Sequence, residues 1–433
     1  MKKRTIVALL LVLMLVATSV GCTSASTETA AADTSTETAA EAEATTAPET
    51  EATEPETQAD LQTQTDVTAV VENDWAIENR INDGSQTKEE LYELAKEEGA
   101  VTLYSISSRC GKVADSFNAE YPGVVCEAFD ISSDELIQRV TTEYNAGQYV
   151  ADVVHCKDLD GSVYQELVLS NVFHNYYPDD ICDSIDPAYL TYAMPMYWEL
   201  NQWFYNGTLF DEAPVTSWWQ LTEEEWDNNL LMQDPIDNTN YMAVFTAFLQ
   251  YEDEIAADYE ALYGEPLTDY QCGVDNAAYE LIYRLFKDGR VIFTSSSDET
   301  CEQTAGTGVT EVKLGYGASS KVRKNADNGW SLVPINITPS TGIPNPNNLY
   351  IVDNCPHPNA AKLLVRWMCG ETDGTGEGFT PFNTLGGWSV RDNVALAEGS
   401  TPLTELHVWN FDPMFVYNNY LDMQDYLIKL LVG

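Results

Sequence analysis

After residue 87 the spacing of apolar positions switches repeatedly between two periods. Thr87-Lys-Glu-Glu90 fits a helix capping box, and Leu91, Leu94 and Ala95 continue with helical spacing up to Gly99. Val101 and Leu103 then alternate as a short buried strand that runs into a serine-rich turn, Ser105 to Ser108. Val113, Ala114 and Phe117 share one face of the helix that this turn opens, near 111–120, and Tyr121-Pro122-Gly123 ends it. A strand over 124–129, a capped helix from Ser133 and a strand over 151–156 follow, the last ending in the polar turn Lys157-Asp158-Leu159-Asp160-Gly161. Beyond them the pattern predicts a long strand over Met196–Asn206, a turn into a helix from Pro214, a short strand over Leu230–Asp234 and helices near 241–262 and 275–288. Strands over 311–320 and 349–353 and a helix over 357–368, stopped by Gly370, complete the series, with no internal repeat. Strands alternating with helices of this length predict an α/β fold built on parallel sheet. In such sheets ligands bind beyond the carboxyl ends of strands, which is where the serine turn and the 157–161 turn fall. The serine turn also precedes a helix, whose first N–H groups are unpaired and carry partial positive charge, so it suits an anionic or polar small ligand.

The first 75 residues follow other rules. Met1-Lys-Lys-Arg4 precedes an apolar run from Ile6 to Val20, the length of a signal peptide and short for a membrane span. Gly21-Cys22 resembles a bacterial lipobox, in which the cysteine is lipidated and becomes the mature N-terminus; Ser19 stands where leucine is usual, and ordinary secretion is the alternative. Residues 23–75 are rich in Thr, Ala, Glu, Ser and Pro, lack Lys and Arg, and contain almost no large apolar side chain before Val67. Such a segment cannot bury enough surface to offset its ordering entropy, and its acids extend it, so a disordered tether is expected. The formal charge is −48. Thirteen acids lie between 23 and 74, so most of that excess stays on the folded part. Nucleic-acid binding is thereby excluded, because phosphate-backbone contacts need a basic face. Eight cysteines follow Cys22, none in a CxxC pair, which argues against zinc ribbons and thioredoxin-like chemistry and leaves disulfide pairing open.

The order of these features resembles one family: the extracellular solute-binding proteins of ABC importers, in the branch that contains ferric-ion binders and binders of phosphonates and other small organic solutes. The matching stretches are LYELAKEEGAVTLYSISSR (91–109), ADVV (151–154), WFYNGTLFDEAPVTSW (203–218), GASSKVRK (317–324) and PHPNAAKLL (356–364), with Gly387-Trp-Ser-Val-Arg-Asp-Asn-Val394 near the end. Each is weak alone; their order and spacing carry the resemblance. It implies a two-lobed, type II periplasmic-binding-protein-like fold with a ligand cleft between lobes. Lobe one would span 76–202 and return over 332–400, lobe two would span 203–331, and 401–433 would supply C-terminal helices packed on lobe two. The implied function is capture of a solute and its delivery to a permease and its ATPase, by a monomer anchored through Cys22 to the outer face of the plasma membrane, with no enzyme activity and no cofactor. Ferric binders of the branch place His and Tyr directly after the first turn and adjacent tyrosines before the late helix. Here those positions hold Cys110 and Gly111, and Gly317-Ala318-Ser319-Ser320. Fe(III) prefers phenolate or carboxylate oxygens. Tyr176-Tyr177 falls at the wrong point in the order, so an anionic or zwitterionic organic solute is expected rather than bare ferric ion.

From lobe one, Ser105, Ser107 and Ser108 are expected to hydrogen-bond the solute, against the plainer role of helix capping. Arg109 suits a bidentate pair with a phosphonate or carboxylate, or else an interlobe ion pair. Asp158 and Asp160 offer acceptors for an amine or hydroxyl, or are solvated turn acids. Ser319 and Ser320 would close from lobe two. Trp198 and Tyr205 would stack on the solute, or serve the core. The four histidines show no metal-binding spacing, no metal site is expected, and neither a GxSxG elbow, a P-loop nor a GxGxxG is present. The two readings kept beside solute capture are a ferric-ion or iron-chelate binder and a tethered extracellular hydrolase.

Overall fold

The computed structural model describes residues 70–432. The leader, Cys22 and most of the acidic tether lie outside the described residues. The last residues assigned to the tether are part of the fold. Asn73 caps the short helix Asp74–Glu78 and donates to Asp353 at 2.8 Å, while Trp75 lies against the His174 ring, 5.5 Å between centroids. Trp75 is partly buried there, and Ala76 and Ile81 behind it are fully buried, which ties the chain down at this point.

Two sheets organise the chain. The strands in order are β1 Ala100–Ser105, β2 Val125–Asp130, β3 Val153–Lys157, β4 Phe173–His174, β5 Met194–Glu199, β6 Asn201–Asn206, β7 Leu230–Gln233, β8 Val291–Thr294, β9 Leu314–Ala318, β10 Leu332–Pro334, β11 Asn345–Val352 and β12 Trp388–Ser389. The first sheet runs β12-β5-β11-β3-β1-β2, with β4 pairing β11. β1 is parallel to both β2 and β3, whereas β11 is antiparallel to β3 and β5. The second runs β10-β6-β9-β7-β8, parallel from β9 to β8 and antiparallel around β6. β3 and β11 are buried nearly end to end, as strands covered on both faces require. The helix Pro358–Met368 packs against the helix Lys88–Glu98 and against β1 and β11. The predicted capping box is formed: the Thr87 hydroxyl accepts from Glu90 N–H and the Glu90 carboxylate accepts from Thr87 N–H.

The long strand expected over 196–206 is two strands in two sheets. β5 belongs to the first and β6 to the second, and Leu200 alone separates them. The chain crosses back between β10 and β11. β10 pairs antiparallel with β6, Leu332 opposite Asn206, and Leu332 is buried with Phe204, Cys301 and Trp330. Ile335, Ile337 and Ile343 still pack in the core of the second sheet, and the chain rejoins the first sheet at Asn345 in β11. The final helix Pro413–Val432 sends Phe415, Val416, Met423 and Leu427 into the core under the second sheet. All eight cysteines after Cys22 are free thiols, six of them buried.

Candidate functional site

The serine turn forms where β1 ends. Ser105 is fully buried; its hydroxyl accepts the Ser107 N–H at 3.1 Å and shares a 2.8 Å hydrogen bond with His155 Nδ1 on β3. That fixed turn aims Ser107, whose Oγ accepts from Arg109 Nε at 2.8 Å. One Nη of Arg109 then donates to the Tyr197 hydroxyl at 2.8 Å and to Glu199 Oε1 at 3.1 Å, both on β5. Glu199 Oε2 accepts from Lys157 Nζ at 3.0 Å. The guanidinium lies over the rings of Tyr197 and Phe382, 5.1 and 4.9 Å from their centroids. Its remaining nitrogen, Nη1, is buried without a hydrogen-bond partner.

These groups form one wall of a cavity of about 350 Å³ between the two sheets. The facing wall comes from the second sheet and its connections: Asn240, Ser297, Ser320, Lys321, Arg323 and Lys324, the last four after β9. Five cations line this one cavity, namely Arg109, Lys157, Lys321, Arg323 and Lys324, against two acids, Asp130 and Glu199. The whole chain has 21 Lys and Arg beside 69 Asp and Glu, so this concentration runs opposite to the molecule's charge. Lys321 and Lys324 pair with Asp298 outside the lining, at 2.6 and 2.8 Å. Among the described residues Arg323 has no ion pair, and its Nε is buried without a partner.

The electrostatics follow from this packing. Burial opposes the charge of Arg109, but Tyr197 and Glu199 outweigh it and hold the guanidinium above its ordinary value. Burial alone would raise the Glu199 carboxyl; Lys157 and Arg109 instead pull it well below the usual carboxylate range. Burial and then the charge of Arg109 lower Arg323. His155, beneath the turn, is pushed down to about 3, first by burial and then by Arg109. The site thus holds fixed positive charge, and unspent N–H donors, in a partly desolvated cleft.

A sequence profile of the bacterial extracellular solute-binding proteins matches residues 112–406. The chain belongs to that family. It is accordingly a non-catalytic solute-binding protein. A search of curated proteins finds no relative of significant sequence similarity. Solved structures agree on the fold. Apo ferric ion-binding protein A of Pasteurella haemolytica superposes with TM-score 0.56 at 12% identity, covering 77% of this chain and 98% of its own. AfuA of Actinobacillus pleuropneumoniae, with fructose-6-phosphate bound, gives 0.55 at 16%, covering 77% and 99%. Iron-bound HitA of Pseudomonas aeruginosa gives 0.55 at 15%, covering 75% and 98%. The binding protein therefore has the type II periplasmic-binding-protein fold with two mixed sheets.

Of the residues expected at the solute, Ser107, Ser108, Arg109 and Ser320 line the interlobe cavity of this binding protein. Six others do not. Ser105 supports the turn from beneath. Ser319 is fully buried, its Oγ accepting from Leu200 N–H and donating to Gly386 O, so it locks the crossing point instead. Asp158 is turned inward, accepting from the N–H groups of Val163 and Tyr164 at 2.9 Å, which caps a π-helical turn over Val163–Val168. Asp160 accepts from Ser162 and borders an adjoining pocket that shares Lys157, Ser133 and Asn240 with the cleft. Trp198 points to the opposite face of β5 from Tyr197 and Glu199, as strand alternation demands, and lines a separate cavity. Tyr205 is in the core of the second sheet, edge-on to Phe210. Sequence reasoning missed Lys157, Arg323, Tyr197 and Glu199. The basic run Lys321-Val-Arg-Lys324 in so acidic a chain was the available signal. Nothing local marks Glu199 as the residue holding two cations.

Proposed function

We propose that this protein captures a small organic solute bearing a phosphate or phosphonate group and hands it to an ABC permease and its ATPase, tethered to the membrane by a lipid on Cys22. The observation that carries the solute class is the five-cation cavity, whose Arg109 and Arg323 each keep one buried guanidinium nitrogen without a partner among the described residues. An unmet buried donor is costly, and a charge-assisted hydrogen bond to an anion removes that cost in the complex. Ser107, Ser108 and the N-terminus of the helix Cys110–Glu120 add donors of the same sign. The volume suits one small molecule, and Asp130 gives a place for an amine if the solute is zwitterionic. A ferric reading finds less support. Where the iron-binding branch sets its ligands this chain has a buried Cys110 and a glycine, and the phenol of Tyr197 is held above its usual pKa by burial and Glu199. Titration calorimetry with small phosphate esters, phosphonates, their neutral parent alcohols and Fe(III) tests the proposal. Saturable binding confined to the phosphorus-containing solutes is expected; micromolar Fe(III) binding with a tyrosinate absorption band overturns it.

A further inference from the structure

A second cavity, of about 430 Å³, lies behind the crossing strands and shares no lining residue with the cleft. Alternation along β5 and β11 separates the two: Tyr197, Glu199 and Asn347 face the cleft, whereas Trp198, Pro346 and Asn348 face the rear. The rear cavity is walled by Tyr189, Tyr192, Trp198, Trp409 and Phe411. Tyr189 and Trp198 form a corner of it, their centroids 5.0 Å apart and their planes at 78°. Among the described residues neither Lys, Arg nor His lines it, and Asp158 is the one charged residue there. Asn348 is 3% exposed, its Nδ2 donates to the Tyr350 hydroxyl, and its Oδ1 has no partner. The cavity thus combines several aromatic rings and one unspent buried acceptor, in a molecule of net charge −48.

We infer that this rear cavity is a second ligand site, which takes a small organic cation such as a quaternary or primary amine. Aromatic faces attract a cation through their quadrupoles, and perpendicular rings present two faces to one group. A neutral apolar guest would leave the Asn348 carbonyl oxygen unmet, and an anion would meet that same acceptor with no cation of the lining to pair with. A cation is also the class that the acidic surface concentrates. The site is independent of the solute cleft, so both ligands bind one molecule at once.

The test uses choline and its uncharged isostere 3,3-dimethylbutan-1-ol on the whole secreted chain, by calorimetry and tryptophan fluorescence. Saturable choline binding in the millimolar range or tighter is expected, with the isostere much weaker. Tyr189→Ala removes one wall at the cavity mouth, where that residue is 47% exposed. It should weaken choline about five- to tenfold. Trp198→Ala should do at least as much. Arg323→Ala, which strips the front cleft, should leave choline binding unchanged, and that separates this site from the solute proposal. No saturable choline binding, equal binding of the isostere, or unchanged affinity in Tyr189→Ala overturns the inference.

Discussion

His155 and Asp158 stand three residues apart at the end of β3 and meet opposite fields. His155 sits beneath the cationic cleft, where burial and Arg109 push it down to about 3. Asp158 borders the aromatic rear cavity, where burial and Asp160 push it up to about 7. Burial disfavours the charged form of both groups, and a like charge adds to it in each case, Arg109 for His155 and Asp160 for Asp158. Their linkage to stability has opposite sign. The folded pKa of His155 lies below its unfolded value near 6.5, so the unfolded chain binds more protons between about pH 3 and 6.5 and stability falls on acidification. The folded pKa of Asp158 lies above its unfolded value near 3.8, so stability falls as pH rises from about 4 to 7. Relative to wild type, His155→Gln should lose less stability on acidification and Asp158→Asn should lose less on passing to pH 7, in denaturant titrations at stepped pH. Each displaced unit is worth about 1.4 kcal/mol, which makes this the largest expected effect. Parallel slopes for the two variants would break the picture of opposed fields.

The same contrast runs along β5 within three residues. Tyr197 and Glu199 belong to the front, Trp198 to the rear, because successive side chains leave a strand on opposite faces. On the front, Glu199 is the keystone, with Arg109 and Lys157 both within 3.1 Å of it. Glu199→Gln leaves the buried Arg109 and the partly buried Lys157 without their shared counter-charge, and breaking a buried pair in this way costs about 3–5 kcal/mol. A marked fall in Tm is expected, with inorganic phosphate restoring more of it than it adds to the wild type, since an anion can replace the lost carboxylate. A variant as stable as wild type would show that the cations do not depend on Glu199.

The sequence made the element order legible because capping, strand-end and stop signals are local: the Thr87–Glu90 box, the turn after β1 and the Gly370 stop all act within a few residues. It also made one cleft wall legible, since Ser107, Ser108 and Arg109 are contiguous. Orientation is where it fell short. Ser105 and Ser319 read as hydroxyls like their neighbours, but β-strand alternation and the Leu200 crossing turn them into the core. The division at Leu200 is itself a tertiary event, visible only once two sheets compete for one apolar run. Lys157 and Glu199, 42 residues apart, are joined by folding alone.

Arg323 gives the smallest effect on the fold and the cleanest one on the front cavity. It has no ion pair among the described residues, burial and Arg109 both work against its charge, and its Nε lacks a partner. A charged group in that position does not stabilise the empty protein; under the function proposed above its use lies in the complex. Arg323→Ala should leave Tm unchanged or slightly raised, because it relieves repulsion with Arg109 and deletes an unmet donor. Affinity for a phosphate ester should fall about tenfold or more, the worth of one charge-assisted hydrogen bond of ~1.5–3 kcal/mol. Arg323→Lys should recover part of that affinity by restoring the charge without the guanidinium fork. Thermal shift and calorimetry on the same preparations separate the two readouts. A large loss of Tm with intact ligand affinity would make Arg323 a structural residue and leave Arg109 as the sole guanidinium for the solute.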